Sequence, residues 1–199
     1  MPSDTKSVGF ILGKPPHKTP IVNNVIATLN LQGIDSQIYL PNQAAIDSAW
    51  FNENQLYMQR GLTREQLDSL VPYTACGVRI INDPGACLIA GDRLKQVYAL
   101  SNAGVPVPFT RLCETWHEVR ASGLARAVVK RRNAATGGRG SGIAVYDHGR
   151  IPEIAPFPGP YIIQEFIPGD GVDRKVYALG SRMRELLKRS VRDLHIDES

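Results

Sequence analysis

The stretch Val128-Val129-Lys130, followed shortly by Gly137-Gly138-Arg139-Gly140-Ser141-Gly142, decides how the rest of the chain is interpreted. A strand that ends in lysine fixes one ammonium group, and a glycine-rich loop after it can bring main-chain N–H groups close to phosphate oxygens. Together they predict a clamp for a triphosphate. Taken alone, an ordinary hairpin loop is the stronger interpretation, and the loop is not a Walker A motif, because no Gly-Lys-Ser/Thr opens a helix here.

The segments at the start of the chain predict a β-α-β unit. Val8 to Leu12 is a short apolar run typical of a buried strand. Thr19 and Pro20 supply an N-cap and a first-turn proline for an amphipathic helix that Gly33 ends. Ile38 to Leu40 predicts the next strand, and this order of elements favours a parallel sheet. The predicted fold class is therefore α/β.

Further elements are predicted from apolar runs and capping boxes. Before the glycine-rich loop they are a weak strand at Leu56 to Met58, a helix from Thr63 to Gly77, a strand at Val78 to Ile81, a helix from Asp92 to Ala103, a short helix after Thr115 and a strand from Ala127 to Lys130. After the loop they are strands at Ile143 to Tyr146, Tyr161 to Ile167, Lys175 to Leu179 and Met183 to Lys188. Gly149 to Pro160 holds four prolines and is expected to be a connection.

The charge pattern suits an anionic ligand. The chain carries a formal net charge of +4, with basic residues concentrated at 130–132 and 182–192. Such clusters suit nucleic acid, but a polyanionic nucleotide needs the same charge. The arginines lack interleaved aromatic residues for base stacking, so nucleic-acid binding ranks last among the interpretations. No apolar run approaches the roughly 20 residues that a membrane helix needs, so no membrane partner is expected.

The spacing of cysteine and histidine argues against metal and disulfide chemistry. The three cysteines, Cys76, Cys87 and Cys113, form no CxxC pair, and the four histidines show no metal-ligand spacing. The polar N-terminus, Met1 to Ser7, has no apolar signal segment. We therefore expect reduced thiols and a cytoplasmic location.

Six motifs occur in a fixed order along the chain, and the order is more specific than any one of them. They are Asn82-Asp83-Pro84, Asp92-Arg93-Leu94-Lys95, Gly104-Val105-Pro106-Val107-Pro108-Phe109-Thr110, Val129-Lys130 with its loop, Ile162-Ile163-Gln164-Glu165-Phe166-Ile167 and Asp173-Arg174-Lys175-Val176-Tyr177-Ala178-Leu179-Gly180. This series resembles the ATP-grasp superfamily, and most closely the branch that contains RimK-type glutamate ligases and bacterial glutathione synthetase. The resemblance covers nearly the whole chain.

The resemblance implies a domain organisation. An N-terminal βαβ (pre-ATP-grasp) domain would span residues 1–81, and an incomplete two-lobe α+β ATP-grasp domain would span 82–199. The small lobe would cover about 93–146, and the second lobe would begin at about 161.

The resemblance also assigns residues to ATP. Lys130 matches the lysine that contacts the phosphates, and the glycine-rich loop matches the mobile loop that closes over them. Residues 164–167 resemble the hinge between lobes, where the main chain of Glu165 to Ile167 would meet the adenine edge. Asp173 stands where an acidic residue accepts hydrogen bonds from the ribose hydroxyls. The implied cofactor-binding residues are Arg93, Lys130, Gly137, Gly138, Gly140, Gln164, Glu165, Phe166, Ile167 and Asp173.

Two cations are implied as catalytic residues. Lys175 and Arg189 would face the phosphates or an acyl-phosphate. Without the resemblance, these two are ordinary solvated charges, Asp173 caps a turn, and Gln164 to Ile167 is a buried strand.

Two features depart from the family pattern. Asp92-Arg93 replaces the family's Asp-Lys, so Arg93 keeps the charge without the compact ammonium. The chain also reaches Ser199 before the Asp/Glu and Glu-x-Asn strands that hold magnesium in this family. We therefore expect a C-terminally truncated domain that binds ATP, has no metal ligands of its own although the family uses magnesium, and shows weak or no turnover.

Three functions follow from the resemblance. The first is an ATP-dependent carboxylate-amine ligase that forms an acyl-phosphate and then a peptide or amide bond, with an unknown carboxylate and amine as substrates. The second is a non-catalytic or fragmentary nucleotide-binding protein that a partner chain completes, or that forms a homo-oligomer. The third is a phosphotransferase acting on a hydroxyl, because Lys175-Val176-Tyr177 also resembles a strand of ATP-grasp inositol phosphate kinases.

Overall fold

The computed structural model describes residues 6–18, 20–133, 142–147 and 149–189. The chain divides into two compact units, one ending at Gly91 and the other beginning at Asp92. Each unit combines helices with a sheet of its own. The α/β class predicted from the sequence is confirmed.

The first unit is built on a parallel sheet. Its elements are β1 (Ser7–Leu12), a 3₁₀ turn (Pro16–Lys18), α1 (Pro20–Leu31), β2 (Asp35–Tyr39), a second 3₁₀ turn (Ser48–Asn52), β3 (Leu56–Arg60), α2 (Arg64–Ala75), β4 (Ile80–Ile81) and α3 (Pro84–Gly91). The strand order is β2-β1-β3-β4, and each neighbouring pair is parallel. The predicted β-α-β start is confirmed, because α1 connects β1 to its parallel neighbour β2.

Strand β1 is buried on both of its faces. Phe10 and Leu12 pack with Val22 of α1, whereas Ile11 belongs to a separate cluster with Leu70 of α2. Successive side chains of a strand point to opposite faces, so a strand between two layers needs apolar residues at consecutive positions. This explains why β1 is a continuous apolar run.

The chain leaves β1 through Gly13, which lies against the end of β3. The Gly13 N–H donates to the Arg60 carbonyl at 3.0 Å, and Asn42 Nδ2 donates to the Gly13 carbonyl at 2.7 Å. A Cβ added to Gly13 would lie 1.9 Å from the carbonyl oxygen of Gly61. This position therefore accepts only glycine, since main chain approaches main chain there.

Side-chain capping marks the starts of α2 and α3, whereas Thr19, the predicted N-cap of α1, lies outside the described residues. Thr63 Oγ1 accepts from the Gln66 N–H at 3.3 Å, and Gln66 Oε1 accepts from the Thr63 N–H at 2.9 Å, which is the capping box predicted for α2. Helix α3 was not predicted. Its start carries recognisable signals, namely Pro84 at the first helical position and the Asp83 carboxylate, which accepts from the Ala86 N–H at 2.7 Å.

The second unit is built on an antiparallel sheet. Its elements are α4 (Arg93–Asn102), β5 (Thr110–Cys113), α5 (Trp116–Arg120), β6 (Arg126–Arg131), β7 (Ile143–Asp147), β8 (Tyr161–Glu165), β9 (Val172–Leu179) and β10 (Arg182–Arg189). Strands β5-β8-β6-β7 form one sheet in that order, and β9 and β10 form a separate antiparallel hairpin. Strand β8, where the sequence placed the start of a second lobe, is a central strand of the four-stranded sheet. The lobe boundaries stay predictions.

One face of the four-stranded sheet, which we call the apolar face, packs a buried cluster against α5, and the other face carries three polar side chains among apolar ones. On the apolar face, Cys113, Ala127, Val129 and Ile163 are fully buried in a cluster with Val119 of α5. The opposite face, which we call the site face, carries Thr110, Gln164 and Lys130 on β5, β8 and β6. Alternation along each strand separates the two sets of side chains.

The proline-rich connection before β8 is held to the apolar side of this sheet. Trp116 Nε1 donates to the Pro152 carbonyl at 2.8 Å, and Phe157 and Tyr161 extend the aromatic contacts around Trp116. The connection predicted over residues 149–160 is thus packed against the core without forming a helix or strand. In the described part of the chain, the helices are too short or too polar to cross a lipid bilayer.

Candidate functional site

Lys130 and Gln164 meet on the site face. Lys130 lies on β6 opposite Ile162 of β8, and Gln164 follows two residues further along β8. Such diagonal neighbours are within reach of long side chains. Lys130 Nζ donates to Gln164 Oε1 at 2.5 Å. This bond fixes a half-buried ammonium at the end of a strand, as the sequence predicted for Lys130.

Thr110 extends this contact into a row of three polar side chains. It lies on β5 directly opposite Gln164. Gln164 Nε2 donates to Thr110 Oγ1 at 2.8 Å, and Thr110 Oγ1 donates to the Pro108 carbonyl at 2.8 Å. Gln164 is only 7% exposed, so its amide needs partners within the protein. Thr110 and Lys130 supply one at each end.

Asp92 ties the start of α4 to the end of β6. Its carboxylate accepts from the N–H groups of Leu94 at 3.0 Å and Lys95 at 3.3 Å, and from Arg132 Nη2 at 3.1 Å. Asp92 is 2% exposed. Burial, the largest single effect, disfavours the charged form, but the bonds from Arg132, Lys95 and Leu94 together hold the pKa of Asp92 below its usual value. The carboxylate is therefore an ionised anchor.

Arg93 lies at the same junction and contacts the main chain. Its Nη1 donates to the carbonyls of Arg131 and Asn133, the latter at 3.3 Å, and its main-chain N–H donates to the Arg132 carbonyl at 3.1 Å. Burial, followed by the nearby charge of Arg131, lowers the pKa of Arg93. A guanidinium has five N–H donors, so contact with a phosphate through other nitrogens is compatible with these bonds and stays a prediction.

The strand ends on either side of the glycine-rich loop are joined by a main-chain bond. The Arg131 N–H donates to the Gly142 carbonyl at 2.8 Å, beside the paired strands β6 and β7. Gly142 has a φ of +77°, in the left-handed region that favours glycine. Gly137, Gly138 and Gly140 lie outside the described residues, and their phosphate contacts stay predictions.

The segment that ends β8 is fixed by main-chain and side-chain bonds. The Glu165 N–H donates to the Phe109 carbonyl at 3.1 Å, and Glu165 Oε1 accepts from the Phe109 N–H at 2.8 Å. The Phe166 N–H donates to the Arg126 carbonyl at 3.1 Å, and the Arg126 guanidinium lies 4.1 Å from the centre of the Phe166 ring. Two of the predicted hinge N–H groups therefore serve the fold, while Ile167 is exposed beyond the strand.

The hairpin of β9 and β10 carries the remaining predicted residues. Lys175 is exposed on β9, opposite Leu186 of β10. Across the hairpin, the main chain of Asp173 pairs with Lys188, and that of Arg189 pairs with Val172. The side chains of Asp173 and Arg189 lie outside the described part of the chain. The described contacts do not join Lys175 to Lys130. The catalytic roles of Lys175 and Arg189 and the ribose contact of Asp173 stay predictions.

Magnesium, which the family resemblance implies, does not fit the described residues. Among them there is no group of three or more His, Cys, Asp or Glu side chains that could hold a metal ion. The Gln164 amide oxygen on the site face already accepts from the Lys130 ammonium, and that ammonium suits phosphate oxygens and disfavours a cation.

Comparison with known proteins relates these features to solved structures. No protein-family model and no curated protein matches the chain. N5-carboxyaminoimidazole ribonucleotide synthetase from Thermotoga maritima matches with a TM-score of 0.62 and 17% identity, over 86% of this chain and 48% of that one. A RimK domain ATP-grasp protein from Sphaerobacter thermophilus matches with a TM-score of 0.59 and 19% identity, over 85% of this chain and 68% of that one. The ATP-grasp ligase PsnB, complexed with a phosphomimetic variant of its minimal precursor, Mg and ADP, matches with a TM-score of 0.57 and 18% identity, over 86% of this chain and 69% of that one.

The matches cover most of this chain, so its parallel α/β unit followed by an antiparallel sheet is an architecture that these solved structures share. The chain has the ATP-grasp fold, as its motif order predicted. It spans about half the length of the Thermotoga maritima enzyme. At these identities the likeness shows the fold, and the assignment to the RimK-type branch stays a prediction.

Three residues of this site were not predicted from the sequence. Thr110 was noted only as the last residue of the Gly104-to-Thr110 motif, and Asp92 only as the start of a predicted helix and as a family position. Arg132 was seen only as one member of a basic cluster. The cap pattern before α4 is the signal that could have marked Asp92. Local sequence carried no signal for Thr110 or Arg132, since each acts through a residue far along the chain.

Proposed function

We propose that the chain binds ATP on the site face, with the Lys130 ammonium on the phosphates. The observation that carries this proposal is the bond from Lys130 Nζ to Gln164 Oε1, which fixes a cation beside the stem of the glycine-rich loop. An oriented ammonium and the main-chain N–H groups of such a loop suit a polyanion. Solved ATP-grasp proteins of the same fold, one of them a ligase with ADP and Mg, support this interpretation.

The main chain at the end of β8 is the proposed contact for adenine. Adenine presents an amino donor next to a ring acceptor, so it pairs with one carbonyl and one N–H group. The N–H groups of Glu165 and Phe166 bond to Phe109 and Arg126. We therefore assign the Glu165 carbonyl to the amino group and the Ile167 N–H to the ring nitrogen. Gln164 contributes through its side chain, by holding Lys130.

The reaction we propose is the ATP-dependent joining of a carboxylate to an amine. The carboxylate oxygen attacks the γ-phosphorus of ATP and ADP leaves, which gives an acyl-phosphate. The amine then attacks the acyl carbon, phosphate leaves, and the amine loses a proton as the amide forms. Lys130 and Lys175 would offset the negative charge on the transferred group, because electrostatic stabilisation and positioning dominate phosphoryl transfer. No side chain acts as a covalent nucleophile in this scheme.

Binding is tested by titrating the full chain with ADP and ATP in a calorimeter. Lys130→Met is expected to weaken ADP binding by about tenfold or more, because a charged hydrogen bond to phosphate is lost. Lys95→Met removes the same charge from an exposed position on α4 and is the matched control. Equal affinities of wild type and Lys130→Met would show that Lys130 does not contact the nucleotide.

Turnover is tested by incubating the full chain with ATP, magnesium and a pool of amino acids and peptides. Release of ADP and phosphate that depends on both a carboxylate and an amine supports the ligase. ATP binding without ADP release identifies a nucleotide-binding protein without ligase activity on these substrates. Phosphate transfer to a polyol identifies the hydroxyl phosphotransferase instead.

A further inference from the structure

The hydroxyl of Thr110 determines which way the Gln164 amide points. A threonine hydroxyl has a single hydrogen, and Thr110 Oγ1 donates it to the Pro108 carbonyl at 2.8 Å. Towards Gln164 the same oxygen can only accept. Gln164 Nε2 occupies this position at 2.8 Å. The amide therefore presents its NH₂ group to Thr110 and its carbonyl oxygen to the other side.

The orientation of the amide determines what Lys130 meets. An ammonium has three donors and no acceptor, so it bonds to the carbonyl oxygen of an amide and is repelled by the NH₂ group. Lys130 Nζ lies 2.5 Å from Gln164 Oε1. Gln164 is 7% exposed, so water cannot readily replace either partner of its amide.

We propose that Thr110 is a positioning residue for the phosphate site, acting through Gln164 on Lys130. This inference rests on the proposed function, because it assumes that Lys130 binds the nucleotide phosphates. A lysine side chain loses considerable rotational freedom when it is ordered, and a side chain ordered before binding avoids that cost. Thr110 lies on the edge strand β5 and thus affects phosphate affinity through the side chains of Gln164 and Lys130.

The sheet itself does not need this hydroxyl. Thr110 and Gln164 are register partners through their main chains, and valine has nearly the shape of threonine and a high strand propensity. Thr110→Val should therefore keep the strand while it removes both bonds of the hydroxyl. The NH₂ group of the Gln164 amide then loses its acceptor, and only Lys130 orients the amide. Thr110→Ser keeps the hydroxyl and is the conservative variant.

A double-mutant cycle on ADP affinity tests the proposal. Calorimetry would compare the wild type, Thr110→Val, Lys130→Met and the double variant, with Trp116 fluorescence confirming that each is folded. We expect Thr110→Val to weaken ADP binding about fivefold to tenfold and Thr110→Ser to stay within about twofold of the wild type. In the Lys130→Met background, Thr110→Val should have no further effect. An equal loss in both backgrounds, or no loss in the wild-type background, would overturn the proposal.

The hydrogen-bonded row can also be observed without nucleotide. The side-chain amide protons of Gln164 should exchange slowly with solvent in the wild type and in Thr110→Ser, and faster in Thr110→Val, as followed by ¹⁵N NMR. Normal ADP binding with unchanged amide exchange in Thr110→Val would overturn the role of Thr110 alone. Failure of the wild type to bind ADP would overturn the proposed function and the binding role of Thr110 together, whatever the amide protons show.

Discussion

Arg132 holds Asp92 through two guanidinium nitrogens, with Nη2 at 3.1 Å and Nε at 3.2 Å from the same carboxylate oxygen, although the residues are 40 positions apart. The pair joins the first turn of α4 to the strand end from which the glycine-rich loop leaves. Asp92 is almost fully buried, whereas the Arg132 side chain is 31% exposed. Loss of the carboxylate therefore affects both the cap of α4 and the position of the strand end.

Asp92→Asn is expected to lower the free energy of unfolding of the second unit by about 1–3 kcal/mol, because the amide keeps the helix cap but leaves Arg132 without its ionised partner. Asp92→Ala also loses the cap and should be more destabilising. Urea unfolding followed by Trp116 fluorescence, in a Trp50→Phe background, measures this in the second unit.

Asp68→Asn is the control for the loss of a carboxylate. Asp68 faces Arg64 at 4.0 Å in an exposed pair on α2, and such pairs contribute less than about 1 kcal/mol. In Asp68→Asn, the free energy of unfolding of the first unit, measured through Trp50 fluorescence, should change by about that amount or less. An Asp92→Asn variant as stable as the wild type would show that the buried pair does not anchor the strand end.

The stability of the second unit should depend on pH through Asp92. A carboxylate whose folded pKa is depressed contributes stability above its unfolded pKa, which is about 4, and loses it as pH falls through the folded pKa. The wild type should therefore lose stability as pH falls below about 5, more steeply than Asp92→Asn. Urea midpoints at several pH values provide the measurement. Asp170, whose pKa is lowered by the Val172 N–H, contributes equally in both proteins and cancels in the comparison.

Gln164→Glu should weaken nucleotide binding without unfolding the protein. The new carboxylate would lie where the amide oxygen now accepts from Lys130, and an adjacent anion competes with phosphate for the ammonium. We expect ADP affinity to fall by about tenfold or more in calorimetry. Asn102→Asp makes the same change in net charge at the exposed end of α4 and should retain affinity. Wild-type affinity in Gln164→Glu would contradict a phosphate role for Lys130.

Gly13→Ala should destabilise the first unit by about 3 kcal/mol or more, because the new methyl group would collide with the Gly61 carbonyl and main chain would have to move. Gly91→Ala is the matched control, since a Cβ at that helical position meets nothing within 4 Å and replaces a poor helix former. Thermal unfolding followed by Trp50 fluorescence compares the two. Equal stability of the two variants would show that the main chain at Gly13 and Gly61 can move apart without loss of folding free energy.

Much of this fold could be predicted from sequence, because local rules dominate its elements. The apolar run of β1, the capping box of α2 and the Asp92 cap of α4 are each contained in a few neighbouring residues. Helix α3 was missed because it is short and because Asn82-Asp83-Pro84 was noted only as a motif. The strand predicted at Val78 to Ile81 pairs only over Ile80–Ile81, since sheet pairing depends on a partner that local sequence does not reveal.

The site was predictable in part. Lys130 and Gln164 were found separately, through motif order, but their contact depends on which strands are neighbours. Strand β8 follows β7 in sequence and yet inserts between β5 and β6. Only this order places Gln164 between Thr110 and Lys130. No pattern within a short stretch of sequence contains that information.

The order β5-β8-β6-β7 has a consequence for synthesis on the ribosome. Strand β8, one of the two central strands, is the last of the four to be translated, so within this sheet a nascent chain that has reached Asp147 can form only the hairpin of β6 and β7. Strand β5 must wait for Tyr161–Glu165 to emerge before it gains its neighbour. Ribosome-bound intermediates shorter than this would offer quality-control factors an unfinished sheet.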